Sequence, residues 1–338
     1  MFVDRKIITV LSAPRSGSSA LSRMLASLGV CYGATQELVG PTKYNIYGHY
    51  ESQEILDLNE SVLRAYLGEK TDQILQKAGF AAKESDACLR NCFWSVCSAP
   101  ISAESSVPKE LERRMISVIE GLAVSGNTIA WKDARFCMTL PLWRHYMSPV
   151  PIIIWRHPLQ VAKSIEIMTG VPQEYAIWLW AYYTRAAFEV TKGMNPLVIR
   201  HSDLMDRPEM VAERVVAFLE TNGLKIDRNI SEAVAAINKQ EVKQSDQGPP
   251  TEKSIEELYQ WLEQGASAPA PVSPDPSHCQ IFLPLICLAR NQLHRIQRLE
   301  EQNTILKDTL KSERMKLDRV RRVPGYKLIS SLLKLINH

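Results

Sequence analysis

Apolar residues along this chain fall into two rhythms. Short uninterrupted runs rich in Ile and Val, at 7–11, 128–131, 151–155 and 196–200, predict strands buried on both faces. Elsewhere the spacing is that of amphipathic helices. It predicts a helix over 20–28 with Gly29 as its C-cap, and another over about 52–66 carrying Ile55, Leu58, Leu63 and Tyr66. Further helices are predicted over 108–123, 172–191 and 208–219. Within 172–191 the aromatics Trp178, Trp180, Tyr182, Tyr183 and Phe188 read as core rather than as a binding box. Residues 31–48 are irregular, with Gly33, Gly40, Pro41 and Gly48 as breakers. The stretch 69–126 reads as mostly helical, and 223–264 as polar and less periodic. Strands alternating with helices predict an α/β fold, with a mainly parallel central sheet flanked by helices.

A Pro/Ala/Ser-rich run over 265–277 reads as a linker. It divides the chain into a main domain, 1–264, a linker, 265–280, and a helical tail, 281–338. In the tail Leu285, Leu288, Ile296, Leu299, Leu306 and Leu310 approximate the a/d seam of a coiled coil, with charges between. Asn291, Gln302 and Asn303 weaken that seam, and Pro324-Gly325 stops it. The segment 326–336, with Lys327 and Lys334, is amphipathic. It is compatible with an anionic membrane surface, a partner helix or the chain's own domain.

Composition narrows the class. With 45% apolar and 23% charged residues, 338 residues suffice for a sizeable core. No apolar run approaches the ~20 residues that cross a bilayer. The start, Met1 to Lys6, lacks a secretory h-region, so a cytoplasmic location is expected, with membrane association through the tail left open. The net charge of +3 conceals an asymmetry: residues from 289 onward carry +7 and the rest −4. A nucleic-acid partner is not expected. The seven cysteines are odd in number and scattered, unlike a disulfide framework. Cys88, Cys92 and Cys97 lack zinc-ribbon spacing and read as reduced thiols, and no metal site is expected.

Candidate chemistry begins where the first strand gives way to the first helix. Pro14, Arg15, Ser16, Gly17, Ser18 and Ser19 form a small-residue loop ahead of a helix N-terminus. Unpaired N–H groups and the macrodipole there favour an anion. Gly17 lets backbone pass close to a ligand, the serines add hydroxyls, and Arg15 adds a fork suited to phosphate or sulfate. The loop is not a Walker A motif, which requires Lys before the Mg²⁺-binding hydroxyl. An ordinary strand-to-helix turn is the bland alternative, and a second stretch weighs against it. At 151–164 a strand ends in Arg156, Pro158 suits the first turn of a helix, and Ser164 follows eight residues after Arg156.

Together the two stretches resemble the sulfotransferases that use 3′-phosphoadenosine 5′-phosphosulfate (PAPS). In that family a P-[KR]-[ST]-G-[ST]-[ST] loop cradles the 5′-phosphosulfate, and an Arg and Ser spaced as here grip the 3′-phosphate. The resemblance implies that residues 14–19 bind PAPS as co-substrate together with Arg156 and Ser164, with no metal required. It extends to Lys132-Asp133-Ala134-Arg135, where the family's Lys contacts the transferring sulfuryl group, and Asp133 reads as structural, pairing Arg135. It extends also to Asn45-Ile46-Tyr47-Gly48-His49-Tyr50-Glu51. There Glu51 is the implied candidate base and His49 the lesser one, although a Glu at a helix start is favourable for dipole reasons alone. His201-Ser202-Asp203-Leu204 resembles a mainly structural family feature. The family's Gly-rich basic segment, R-K-G-x-x-G-x-W, has no counterpart over 223–264, and Gln247-Gly248-Pro249-Pro250 is no substitute.

The expected activity is sulfuryl transfer from PAPS to an acceptor hydroxyl. By family analogy the acceptor is a carbohydrate or glycolipid. Arg15 and Lys132 stabilise developing charge, while Glu51 or His49 takes the acceptor proton. Two readings compete: another P-loop transferase or kinase, and an idle nucleotide-binding scaffold whose working part is the tail. A homo-oligomer formed through that helix is compatible with its seam.

Overall fold

Four strands form one sheet in the order β2-β1-β3-β4, every pair parallel. They are β1, Lys6–Leu11; β2, Ala130–Lys132; β3, Ser148–Trp155; and β4, Leu197–Arg200. The computed structural model describes residues 5–34, 37–42, 45–77, 100–122, 128–227, 229–237, 252–266, 270–271 and 277–322. The cysteine group 88–97, the dipeptides at 247–250 and the segment 326–336 lie outside the described residues.

Both sheet faces are covered, which is why the strands read as near-continuous apolar runs. Ile7, Leu11, Ile153 and Trp155 point to one side, and Ile8, Val10, Ile152 and Ile154 to the other. On the first side lie α2 (Gln53–Lys77), α4 (Phe136–Trp143), α5 (Pro158–Thr169), α6 (Gln173–Val190) and α10 (Lys253–Glu263). The helix α3 (Lys109–Leu122) joins that layer through buried Met115 and Ile119. On the second side lie α1 (Ser18–Ser27), α7 (His201–Asp206), α8 (Pro208–Thr221) and α9 (Ile230–Ala235). The parallel α/β class expected from the sequence is the class observed. Trp180, Tyr182 and Tyr183 are buried in the core, as their helical spacing predicts.

Several details differ from the sequence reading. The helix expected over 52–66 runs on to Lys77, because no Pro follows Ile55 and Leu63 to end it. Lys132 is the last residue of β2 rather than the first of the following loop. The helix α4 is unpredicted: its eight residues are almost all apolar, so it has no amphipathic period to detect, and it carries Pro141. The stretch read as polar and less periodic contains α9 and α10. Glu252 caps α10 by accepting from the Ile255 N–H, a start signal without a long apolar run behind it.

The chain divides into two units, 1–287 and 288–338. The helix α11 (Ser277–Arg321) bridges the division and is the long tail helix that the spacing predicts. Among the described residues, no helix is long and apolar enough to cross a membrane.

Candidate functional site

In an all-parallel sheet every strand delivers its C-terminal end to the same edge. Here those four ends deliver the loop after Leu11, then Lys132, Arg156 and His201. The sequence separates Arg15, in that loop, from His201 by 186 positions, and the sheet register brings the four strand ends together.

The loop between β1 and α1 is built on two residues of left-handed backbone, Arg15 at φ 68° and Gly17 at φ 95°. A non-glycine residue there costs on the order of 1–3 kcal/mol, and such strain concentrates at functional sites. Gly17 is the N-cap of α1 and contributes no side-chain cap, and the first turn of α1 holds no acid. A Cβ at Gly17 would stand 2.2 Å from Cδ2 of His201, so the glycine is required by packing as well as by φ. Ser16 is fully buried, and its hydroxyl has no hydrogen-bond partner among the described residues. An orphaned donor beside a helix N-terminus is the kind of group that a phosphate or sulfate oxygen satisfies.

The second stretch meets the first directly. Arg15 donates from Nε to Ser164 Oγ at 3.0 Å. Ser164 lies in the second turn of α5, whose N-terminus starts with Pro158 and is capped by His157 Nδ1 accepting from the Leu159 N–H. Arg156 donates from Nε to Gln160 Oε1 at 3.0 Å, and its carbonyl accepts from Trp180 Nε1 at 2.9 Å. That bond ties Arg156 to the buried face of α6.

Lys132 is the hub of the opposite flank. Its ammonium, on a side chain only 6% exposed, donates to Glu51 Oε1 at 2.6 Å, the His49 carbonyl at 2.8 Å and Ser19 Oγ at 3.1 Å. Asn45 donates to the same Ser19 hydroxyl at 2.9 Å. His49 Nδ1 lies 4.0 Å from Glu51 Oε2, and its Nε2 is 3.1 Å from Thr42 Oγ1. Burial lowers the His49 pKa, and nearby Lys132 and Arg15 add to that against the pull of Glu51. A neutral imidazole follows, able to accept a proton.

Beneath Lys132 a buried polar network fixes α2 to the β2–α4 turn. Asn59 donates to Asp133 Oδ2 at 2.9 Å and accepts from Thr139 Oγ1 and Trp143 Nε1, each at 2.8 Å. Arg135 pairs with Asp133 at 3.4 Å and with Glu60 at 3.5 Å, and donates to the Leu56 carbonyl. Burial works against the Arg135 charge, but the Asp133 and Glu60 carboxylates together hold its pKa above the ordinary value. The pairing of Asp133 with Arg135 is the structural role read from the sequence.

The structure thus gathers Arg15, Ser16, Gly17, Ser19, Lys132, Glu51, His49, Arg156 and Ser164 at one sheet edge. Two neighbours were missed. Asn45 stands inside the quoted motif, yet only the fold shows that it reaches Ser19. His201 was read as part of a structural turn, but it packs against Gly17 at the end of β4. Burial, then the nearby Arg156 charge, push the His201 pKa down to about 3. On the Arg156 side, α10 brings Tyr259 to within 4.8 Å of the His157 ring, and its Glu263 pairs with Arg200 at 2.7 Å. Among the described residues, no group of three or more His, Cys, Asp or Glu is placed to share a metal ion.

No protein-family model and no curated protein matches the chain. Among solved structures, it is similar to a sulfotransferase domain from the curacin biosynthetic pathway, at 16% identity and TM-score 0.40, over 79% of this chain and 99% of that one. It is similar to a sulfotransferase domain from the Synechococcus PCC 7002 olefin synthase, at 17% identity and TM-score 0.37, over 84% and 94% of the two chains. It is also similar to the sulfotransferase STF9 from Mycobacterium avium, at 11% identity and TM-score 0.45, over 80% and 79%.

Proposed function

We propose that this protein is a PAPS-dependent sulfotransferase acting on an acceptor hydroxyl. The observation that carries the reading is the Arg15–Ser164 hydrogen bond. It makes one continuous anion surface from two motifs that, in the resembling family, take opposite ends of one nucleotide. PAPS supplies the activated sulfuryl group. The residues fit it chemically: the orphaned Ser16 hydroxyl, the Gly17 backbone, the Ser18 and Ser19 hydroxyls and Arg15 for the 5′-phosphosulfate, with Pro14 turning the chain. Arg156 and Ser164 serve the 3′-phosphate.

Lys132 and Arg15 are preorganised cations on the donor side, held before reaction and so requiring little reorganisation. Glu51 sits against Lys132 and beside the irregular 45–51 segment, where an acceptor hydroxyl would approach. Its carboxylate accepts the hydroxyl proton as the new S–O bond forms and the bond from sulfur to the 5′-phosphate oxygen breaks, with 3′,5′-diphosphoadenosine leaving. His49, neutral and 4.0 Å away, is the second candidate for that proton. The acceptor class we favour is a carbohydrate or glycolipid, with the basic tail favouring a substrate near an anionic surface and peripheral membrane contact, in a cytoplasmic protein.

Calorimetry with 3′,5′-diphosphoadenosine and 5′-AMP tests the donor assignment. The diphosphate should bind more tightly, and Arg156→Ala should cost it about 1.5–3 kcal/mol while leaving 5′-AMP nearly unchanged. Equal affinities in the wild type would refute a PAPS site. An acceptor screen with labelled PAPS, read by mass spectrometry for an added sulfuryl group, then identifies the substrate and rules out an idle scaffold.

A further inference from the structure

The helix α11 presents a row of apolar side chains to solvent. Ile296, Leu299, Leu306 and Leu310 are 50, 56, 67 and 55% exposed. With Ile296 at a and Leu299 at d, the row from Ala289 to Val320 holds ten a/d positions, seven of them apolar. Scattered exposed leucines need no explanation, but a row at heptad spacing on one helix does. Ile305 and Met315 stand off this row.

The polar interruptions in the row say what covers it. Asn303 falls at an a position, between Leu299 and Leu306. A lone Asn at a is a residue that fixes register and strand number in parallel coiled coils, because two such side chains hydrogen-bond only when they face each other. We propose that α11 pairs in register with the same helix of a second copy, as a parallel two-stranded coiled coil centred on Asn303.

In this pairing Arg295 at g faces Glu300 at e of the second copy, and both are exposed, while Lys316 at g faces Arg321 at e, a like-charge pair near the end of the helix. In the parallel arrangement Ile296, Leu299, Leu306 and Leu310 each meet themselves, Asn303 meets Asn303, and the poor layers are Gln292 against Gln292 and Glu313 against Glu313. Lys316, 2.6 Å from Glu313 in the same helix, offsets that charge. Among antiparallel registers, the one that keeps Leu299 opposite Leu310 sets Asn303 against Leu306 twice, stranding two amides, and Ile296 against Glu313 twice. The one that keeps Leu306 opposite Leu310 sets Asn303 against Glu313 and is the rival that cross-linking separates from the parallel pair. Asn303 therefore weakens the seam as sequence and selects its geometry as structure. By connectivity, a parallel coil leaves from the same end into both copies of the preceding unit.

Light scattering on the full chain should give twice the 38.2 kDa chain mass. Leu306→Asp should return it to the single-chain mass with unchanged near-UV circular dichroism. Asn303→Leu should raise the temperature at which the assembly dissociates and populate heavier species. Oxidised Leu299→Cys, with wild type treated alike as control, should give a 299–299 linked peptide by mass spectrometry. A monomeric wild type overturns the proposal, as does a dimer that survives Leu306→Asp. Cross-linking that appears only when Leu310→Cys chains are mixed with Leu299→Cys or with Leu306→Cys chains overturns the parallel orientation. An Asn303→Leu chain with unaltered mass and melting removes Asn303 from the seam.

Discussion

Arg15 and Ser164 lie 149 positions apart, and a 3.0 Å hydrogen bond joins them. Arg15 reaches Ser164 from a left-handed backbone conformation at φ 68°, a strain that persists only where surroundings over-determine it. The bond couples the loop after β1 to the helix after β3. In a double-mutant cycle on 3′,5′-diphosphoadenosine affinity, Arg15→Ala and Ser164→Ala should therefore be non-additive by about 0.5–3 kcal/mol. Strict additivity would mean that the two motifs act as separate sites.

Glu51 and Lys132 pair at 2.6 Å, so Glu51 has two possible duties: taking the acceptor proton or orienting the lysine. The readouts differ. As the base, Glu51→Gln should lower single-turnover rates by roughly 10²–10⁴-fold and leave nucleotide affinity nearly intact. As an orienter only, it should shift nucleotide binding and rate together. Near-normal turnover in Glu51→Gln with a sharp fall in His49→Ala would transfer the role to His49.

Gly17→Ala should destabilise the fold by about 1–3 kcal/mol, through its positive φ and the approach to His201, and should abolish nucleotide binding. Because the contact is with a side chain, adding His201→Ala should restore part of the stability but leave the φ strain. Urea unfolding of the wild type and the two variants measures this; an undiminished midpoint for Gly17→Ala would refute the close approach.

The His201 imidazole has a folded pKa pushed down to about 3 by burial and Arg156, below its unfolded value near 6.5. The unfolded chain then binds the proton more readily. The stability that neutral His201 contributes is complete above pH 6.5 and is lost as pH falls from 6.5 toward 3. The slope is up to about 1.4 kcal/mol per pH unit. His201→Phe should lack this component, so the stability gap between the two proteins should change between pH 7 and pH 5. A constant gap would place His201 in water.

The apolar runs at 7–11 and 151–155 announced buried parallel strands because both sheet faces are covered, and that constraint is local. The loop after β1 was legible for the same reason: small residues, one Arg and a helix start are contiguous in the chain. Lys132, Glu51 and Arg156 could be named from motif spacing, but not how they meet. Sequence by itself determined the four strands, most of the longer helices, the parallel class and the identity of the charged groups. Tertiary structure decided that Arg15 reaches Ser164, that Lys132 rather than solvent holds Glu51, and that His201 takes the space beside Gly17. Those contacts depend on strand order and register, which join residues too distant for any short-range pattern to encode. The helix α4 escaped detection because its burial on all sides erases the period that reveals surface helices.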